Sequence, residues 1–232
     1  MEFIDIFLLK CYTFNGKMKT IKKIIAVVMV IVTLFCSFAF VVSAEDAKAT
    51  DENEIVATVY VCQEMQPPYI MGHTWLYFVN LTNHEITVGI YTLPKNQAVS
   101  IGTYGLSIKG GRGLYYNIEG YRYNHPTKEK DFVCLKKNVT QKQLETMSVQ
   151  ITRHGVWGFL LNCSFAPFMI WNSVLGQFLP YLIFPILARL CIIMYPQHEK
   201  GFYLYDPKPD QIFKQVGWGK NAYLIPADPT VK

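Results

Sequence analysis

The chain has 232 residues, of which 51% are hydrophobic, 15% aromatic and 17% charged, and this composition excludes a disordered or collagen-like chain. The net charge of +5 is concentrated near the N-terminus, because residues 45–232 carry 17 basic and 15 acidic side chains. Such a nearly neutral body argues against nucleic acid as the main partner, since phosphate binding needs clustered lysine and arginine. The length suits one domain with a full hydrophobic core.

The first 44 residues have the order of a secretory signal peptide. Three lysines within 19–23 precede an uncharged apolar stretch, 24–42, and small residues follow up to Ala44. We predict cleavage after Ala44, with an uncleaved membrane anchor as the alternative, because the stretch approaches the length of a span. Met18 begins this signal cleanly by itself, which makes 1–17 a candidate over-extended start. The predicted location is therefore secreted or in the cell envelope.

Four cysteines follow the predicted cleavage site. An even count in an exported chain permits two disulfides in any of three connectivities. No pair has the spacing of zinc ligands, and we predict no metal and no other cofactor. The small, polar and acidic residues 45–54 are predicted to form a flexible leader. The four cysteines are Cys62, Cys134, Cys163 and Cys191.

Short segments bounded by turn residues predict β-strands in the first half of the chain. Residues 82–84 form a turn between the second and third of these segments, which predicts a hairpin over 71–93. The predicted strands are 55–62, 71–81, 85–93, 98–102, 114–119 and 132–135.

Helical patterns follow after residue 138. Thr140 and Gln143 have the spacing of a capping box, and Leu144 begins an apolar stripe on one face of the predicted helix, which Gly155 ends. The next segment, 157–176, is apolar, with helical spacing after Asn162. Strands followed by helices predict an α+β fold.

The last part of the chain contains an unusually apolar stretch, 178–195, with two prolines and Arg189 inside it. As a membrane span this stretch is short, broken and charged. We therefore predict a buried or interface-seeking helix, with possible membrane association as the alternative. The tail, 196–232, is rich in proline and aromatic residues and is predicted to be an extended segment laid over the domain.

Two residues have the surroundings of a nucleophilic pair. His73 stands at the head of a predicted strand, and Cys163 stands where a predicted helix begins. A helix N-terminus lowers the pKa of a thiol, and an imidazole can take its proton and return it to a leaving group. Backbone N–H groups at the helix start, around Asn162 and Ser164, could face a developing oxyanion. The structural alternative is a small buried cysteine in an apolar helix.

Six segments resemble a group of secreted bacterial proteins of unassigned function. Through that group the chain resembles the circularly permuted branch of the papain-like superfamily, which includes NlpC-type peptidases and lecithin:retinol acyltransferase-like enzymes. In that branch the histidine strand comes first and an Asn-Cys helix start comes last, the order in which His73 and Cys163 occur here. The resemblance covers about 56–195 and is carried by residues 72–78, 86–93, 99–103, 113–119, 162–163 and 170–174.

The resemblance implies an α+β domain over 55–195, with an antiparallel sheet and the cysteine helix packed against one end of it. It also implies a thiol hydrolase or acyltransferase acting on an amide or ester bond, with a peptide, cell-wall or lipid-like substrate. Cys163 resembles the nucleophile and His73 the base. The stretch 178–195 could then shape a pocket for an acyl chain. The alternative function is a non-catalytic secreted or envelope-associated binding module on the same scaffold.

In the superfamily a third polar residue usually orients the histidine from the neighbouring strand. A hairpin over 71–93 places Leu93 opposite His73, with Thr92 beside it as the only polar side chain. Thr92 is a poor substitute for such a residue, and Asn117 and Glu119 on a later predicted strand are the alternatives.

Overall fold

The described residues of the computed structural model, 54–66, 71–105, 110–124, 131–154, 163–180 and 185–228, form ten strands and four α-helices. The strands are β1 (Ile55–Gln66), β2 (Met71–Asn80), β3 (Ile86–Val88), β4 (Tyr91–Leu93), β5 (Ala98–Tyr104), β6 (Gly113–Tyr116), β7 (Phe132–Thr140), β8 (Glu199–Lys200), β9 (Phe213–Val216) and β10 (Tyr223–Pro226). The helices are α1 (Ile118–Asn124), α2 (Gln141–Arg153), α3 (Phe165–Asn172) and α4 (Pro185–Ile193). The predicted signal peptide lies outside the described residues.

Eight of these strands form one antiparallel sheet in the order β10-β9-β6-β5-β2-β1-β7-β8, and β3 and β4 form a separate pair. The two longest strands, β1 and β2, lie at its centre and pair from Ala57 with Asn80 to Gln66 with Met71. With helices packed against this sheet, the α+β prediction is confirmed. The described residues form one compact unit.

The core uses both faces of the sheet, because successive side chains of a strand point to opposite sides. One face carries an aromatic cluster that includes Trp75, Tyr77 and Phe132, and it is covered by Tyr123 of α1 and by Leu204 from the tail. The other face carries Leu76 and Phe78 of β2, which are also buried.

Helix α2 begins where the sequence predicts. The Thr140 hydroxyl accepts a hydrogen bond from the Gln143 N–H, and the Gln143 side chain accepts one from the Thr140 N–H, so the capping box is confirmed. The apolar stripe that Leu144 begins is buried. The helix ends at Arg153, and Gly155 lies outside the described residues.

The predicted hairpin over 71–93 is wrong. Strand β2 pairs with β1 and β5, whereas in the described part of the chain β3 and β4 pair only with each other, around a turn in which Gly89 has a φ of 64°. The Asn80 side chain donates to the carbonyls of His84, Leu93 and Pro94, so it ties together the two ends of the segment that contains β3 and β4. The chain therefore leaves the sheet after β2 and returns to it as β5, which pairs with β2 on one side and β6 on the other.

Glu119 lies on a helix, not on the predicted strand 114–119. Strand β6 ends at Tyr116, and Asn117 has a φ of 70°, a left-handed conformation that asparagine tolerates better than most residues. Helix α1 then starts at Ile118 and turns Glu119 back towards the sheet. Three other predicted strands are longer than expected, since β1 extends to Gln66, β5 to Tyr104 and β7 to Thr140.

The apolar stretch 178–195 contains α4, whose Ala188, Cys191 and Ile192 are buried. Among the described residues no helix is long and apolar enough to cross a membrane. The tail does more than cover the domain: β9 pairs with β6, through Lys214 with Tyr115 and Phe213 with Tyr116, and β10 pairs with β9.

Candidate active site

Cys163 lies immediately before α3, whose N-cap is Ser164. The cysteine is partly exposed, whereas Ser164 is fully buried. Pro167 stands in the first turn of α3, where its missing N–H leaves no helical hydrogen bond unmade. The positive end of the helix dipole is therefore next to the sulfur and favours the thiolate.

The sulfur of Cys163 fills a gap in the central sheet. Strand β2 pairs with β1 as far as Met71, but its pairing with β5 stops at Trp75. Beyond that point Cys163 Sγ lies 3.5 Å from the Gly72 carbonyl oxygen, and the Thr74 N–H donates to Sγ. The cysteine thus bonds backbone groups for which β5 provides no partner.

The His73 ring lies between Cys163 and a buried carboxylate. Its Nε2 is 2.8 Å from Oε1 of Glu119, which leaves Nδ1 for the Cys163 thiol. The ring packs against Tyr104, with centroids 4.3 Å apart, and stacks on Trp75 at 5.7 Å. These contacts fix the plane of the imidazole, so its two nitrogens point to fixed partners.

Glu119 is fully buried and accepts a second hydrogen bond, from the Tyr104 hydroxyl at 2.9 Å. Continued by two residues, the β2–β5 register places Tyr104 opposite His73. Burial and the neighbouring Glu119 carboxylate raise the pKa of Tyr104 well above its ordinary value, so its hydroxyl stays a donor. The tyrosine therefore holds Glu119 in place beneath the imidazole.

Gly102 of β5 makes room for the His73–Glu119 hydrogen bond. A Cβ at this position would overlap Oε1 of Glu119 and would lie 2.8 Å from Nε2 of His73. A glycine is therefore the residue that lets α1 bring its carboxylate across β5 to the histidine.

The site favours an ion pair between Cys163 and His73. Burial alone would raise the pKa of Cys163, but the hydrogen bond and charge of His73, with the Thr74 N–H and the Ser164 hydroxyl, lower that pKa. Burial would lower the pKa of His73, but Cys163 and Glu119 together raise that pKa to about 9.

The charge of Glu119 is favoured as well. Burial would raise the pKa of Glu119, but its hydrogen bond to His73 and the histidine charge lower that pKa. At neutral pH the favoured state is thiolate, imidazolium and carboxylate in a row.

A chain of buried hydrogen bonds lies behind the thiol on the other face of β2. The Thr74 hydroxyl donates to Gln63 Oε1 and lies 2.8 Å from the Ser164 hydroxyl, and Gln63 Nε2 donates to the Glu64 carbonyl at 2.7 Å. Gln63, Thr74 and Ser164 are all buried. These hydrogen bonds join β1 and β2 to the start of α3 and so fix the position of Cys163 relative to His73.

The structure brings together some of the predicted site residues and not others. Cys163, His73 and Glu119 meet, whereas Thr92 is exposed on β4 in the small sheet, away from the strands that flank β2. The Asn117 amide donates instead to the Gln211 carbonyl and the Tyr91 hydroxyl. Asn162 lies outside the described residues.

Sequence reasoning missed four residues of the site: Gln63, Thr74, Gly102 and Tyr104. A sequence pattern could have indicated Gly102 and Tyr104. Residues two apart on one strand share a face of the sheet, and a glycine on that face lets a side chain from another element approach the backbone closely. That signal needs β5 to be the neighbour of β2, and the hairpin prediction had assigned that place to 85–93.

The chain matches no family model, and no significant match is found among curated proteins or solved structures. Within the described ranges no group of three or more His, Cys, Asp or Glu side chains could hold a metal ion. The geometry of Cys163, His73 and Glu119 is therefore the main ground for a function.

Proposed function

We propose that this chain is an exported cysteine hydrolase that acts on an amide or ester bond. Cys163 is its nucleophile, His73 its acid and base, and Glu119 the residue that orients the histidine. The observation that carries the proposal is the His73 ring held between the Cys163 thiol and the buried Glu119 carboxylate, 2.8 Å from Nε2.

Acylation starts from the thiolate, which attacks the carbonyl carbon while the carbonyl π electrons move onto oxygen. The His73 imidazolium gives its proton to the leaving amine or alkoxide as the C–N or C–O bond breaks, and a thioester on Cys163 remains. Neutral His73 then takes a proton from water as the water oxygen attacks the thioester. The C–S bond breaks, which releases the acid and restores the thiolate and the imidazolium.

Glu119 contributes orientation and charge. Its bond to Nε2 directs Nδ1 at the sulfur, and its negative charge stabilises the imidazolium. The carboxylate does not need to accept the proton, because its own pKa is lowered by the histidine.

Backbone N–H groups at the start of α3 are the proposed donors to the oxyanion. The Ser164 hydroxyl is directed at Thr74 and the sulfur, inside the protein, so Ser164 would contribute through its N–H. Asn162, which precedes the nucleophile, belongs to the same proposed region.

The proposal includes a permuted papain-like arrangement. It is supported by the chain order of His73 and Cys163, by the antiparallel sheet, and by α3 starting beside one end of β2. A peptide, a cell-wall component or a lipid-like ester are the proposed substrates, and transfer to another acceptor replaces hydrolysis if water is not the second nucleophile.

The test is the pH dependence of iodoacetamide labelling at each cysteine of the full chain, followed by mass spectrometry. We expect Cys163 to label below the pH at which an ordinary thiol reacts, and His73→Ala to abolish this advantage. His84→Ala is the matched control, because His84 is exposed on the loop after β2.

A second measurement separates catalysis from simple reactivity. p-Nitrophenyl acetate should give a burst of nitrophenolate and leave one acetyl group on Cys163. If Cys163 labels slowly, His73→Ala changes nothing and no acetyl group is trapped, the hydrolase proposal fails and a non-catalytic binding module is the better interpretation.

A further inference from the structure

Two buried cysteines face each other across the centre of the sheet. Cys62 of β1 and Cys134 of β7 are direct partners in the antiparallel register, and both side chains are fully buried in the same aromatic cluster. Direct antiparallel partners place their side chains on the same face of the sheet. The two sulfurs are therefore neighbours.

The backbone pattern shows which kind of pair this is. In a central strand, the backbone groups of alternate residues point to the two neighbouring strands. The Leu81 N–H donates to the Val56 carbonyl, so even-numbered residues of β1 point their backbone groups to β2, and the continuous register carries this alternation to Cys62. Cys62 and Cys134 thus form a non-hydrogen-bonded pair on the β7 side.

That geometry suits a disulfide. Cα atoms of a non-hydrogen-bonded antiparallel pair lie about 4.5 Å apart, with the side chains closer together than in the other pair type. Disulfides span Cα separations of roughly 4.4 to 6.8 Å. Burial and a hydrogen bond with Cys134 raise the pKa of Cys62 well above its ordinary value, which is consistent with direct contact between the two thiols.

We propose that Cys62 and Cys134 form a structural disulfide when the chain folds in an oxidising compartment, and that Cys163 and Cys191 stay thiols. In the present structure all four are thiols. The proposal thus assigns one disulfide where the cysteine count permits two, and it does not depend on the proposed hydrolase activity.

The oxidant is the disulfide of another molecule, either a thiol–disulfide oxidoreductase or glutathione disulfide. The thiolate of one cysteine attacks that disulfide and forms a mixed disulfide, and the thiolate of the other displaces the second thiol of the oxidant. Two thiols of the chain lose two electrons and two protons, and the oxidant becomes two thiols. Because both cysteines are fully buried after folding, this exchange takes place before the sheet closes.

The experiment uses the full chain, reduced and unfolded, then refolded in a buffer of reduced and oxidised glutathione. The refolded protein is unfolded again without reductant and alkylated with iodoacetamide, then reduced and treated with N-ethylmaleimide, and its peptides are weighed. We expect iodoacetamide on Cys163 and Cys191, and N-ethylmaleimide on Cys62 and Cys134.

Thermal unfolding gives an independent readout. Reductant should lower the melting temperature of the refolded protein by roughly 5–15 °C, because the bond closes a long loop. Cys134→Ala should abolish that difference, and Cys191→Ala, which also removes a buried thiol, should retain it. Comparing each variant with and without reductant cancels the cost of its cavity.

Iodoacetamide on both Cys62 and Cys134 would overturn the proposal, as would a cross-linked peptide that joins either of them to Cys163 or Cys191 in a parallel digest of the unreduced protein. A wild-type melting temperature that reductant leaves unchanged would also overturn it. Labelling and acetylation of Cys163 are measured on the reduced protein, in which none of these disulfides exists, so failure here is distinguishable from failure of the proposed function.

Discussion

Gly102 and Glu119 are in contact where β5 passes beneath α1: the Glu119 carboxylate occupies the space that a side chain at position 102 would need. The backbone of Gly102 is not in the left-handed region, so its role is spatial. The missing Cβ is what allows a helix on one side of β5 to reach a histidine on the other.

Gly102→Ala should therefore separate Glu119 from His73. The added methyl cannot be accommodated without moving one of them, and we expect a loss of stability of about 1–3 kcal/mol. We also expect Cys163 to lose its labelling at pH values below those at which an ordinary thiol reacts. Urea unfolding and iodoacetamide labelling measure the two effects.

Gly111→Ala is the control for this change. Gly111 has a φ of 76° and open space around its α-carbon, so alanine there costs about 1 kcal/mol through the backbone alone. If Gly111→Ala lost the low-pH labelling of Cys163 as completely as Gly102→Ala does, the lower stability of the fold would explain the loss, and the separation of Glu119 from His73 would not.

Glu119→Gln should weaken the ion pair without changing the size of the side chain. The imidazolium loses its charged partner, so the pKa of His73 falls and the pKa of Cys163 rises. We expect labelling of Cys163 at pH 6 to drop at least about tenfold, since an opposite charge in contact shifts a pKa by roughly 1–3.

Glu145→Gln, on the exposed face of α2, is the matched control and should label as the wild type does. Equal labelling of the Glu119→Gln variant and the wild type would show that Glu119 does not stabilise the ion pair between Cys163 and His73.

Ser164→Ala tests the hydroxyl behind the sulfur. A hydrogen bond to a charged group contributes about 1.5–3 kcal/mol, so labelling of Cys163 at a fixed pH below its pKa should fall roughly tenfold or more. Ser173→Ala at the other end of α3 removes a hydroxyl bonded only to the Ile170 carbonyl among the described contacts and should leave labelling unchanged. A Ser164→Ala variant that labelled normally would show that the Thr74 N–H and His73 suffice.

The histidines themselves give a direct readout by NMR. The His73 imidazole should titrate near pH 9, and Cys163→Ala should lower that pKa, because the hydrogen bond to Cys163 is the largest of the effects that raise it. His154 serves as an internal control: burial and the nearby Arg153 lower its pKa, so it should titrate below the ordinary value of about 6.5. A His73 that titrates with or below His154 would contradict the ion pair.

The sequence identified Cys163 and His73, the two residues of the proposed catalytic pair, because their signals are local. A cysteine at a helix start and a histidine at a strand head can be found from residue types and spacing, and so can the capping box at Thr140 and Gln143. Glu119 was found only as one of three alternatives, since its role depends on where a distant helix docks.

The partner of β2 could not be found in this way. The turn at 82–84 satisfies the local rules for a hairpin. The residues between β2 and β5 contain no pattern that indicates that the chain returns to the sheet only at β5. Pairing between distant strands is decided by burial of whole faces, which a local pattern does not record. Gly102, Tyr104 and the assignment of Thr92 all depended on that one pairing.

The place of Cys163 in the sheet has a consequence for the timing of its reactivity. Its sulfur lies against Gly72, His73 and Thr74 of β2, yet Cys163 follows Gly72 by 91 residues along the chain. In the unfolded chain none of these partners is near, and the thiol has ordinary acidity. Before folding, Cys163 is therefore an ordinary thiol, and docking of α3 beside β2 both supplies the missing partners of that strand and lowers the pKa of the sulfur.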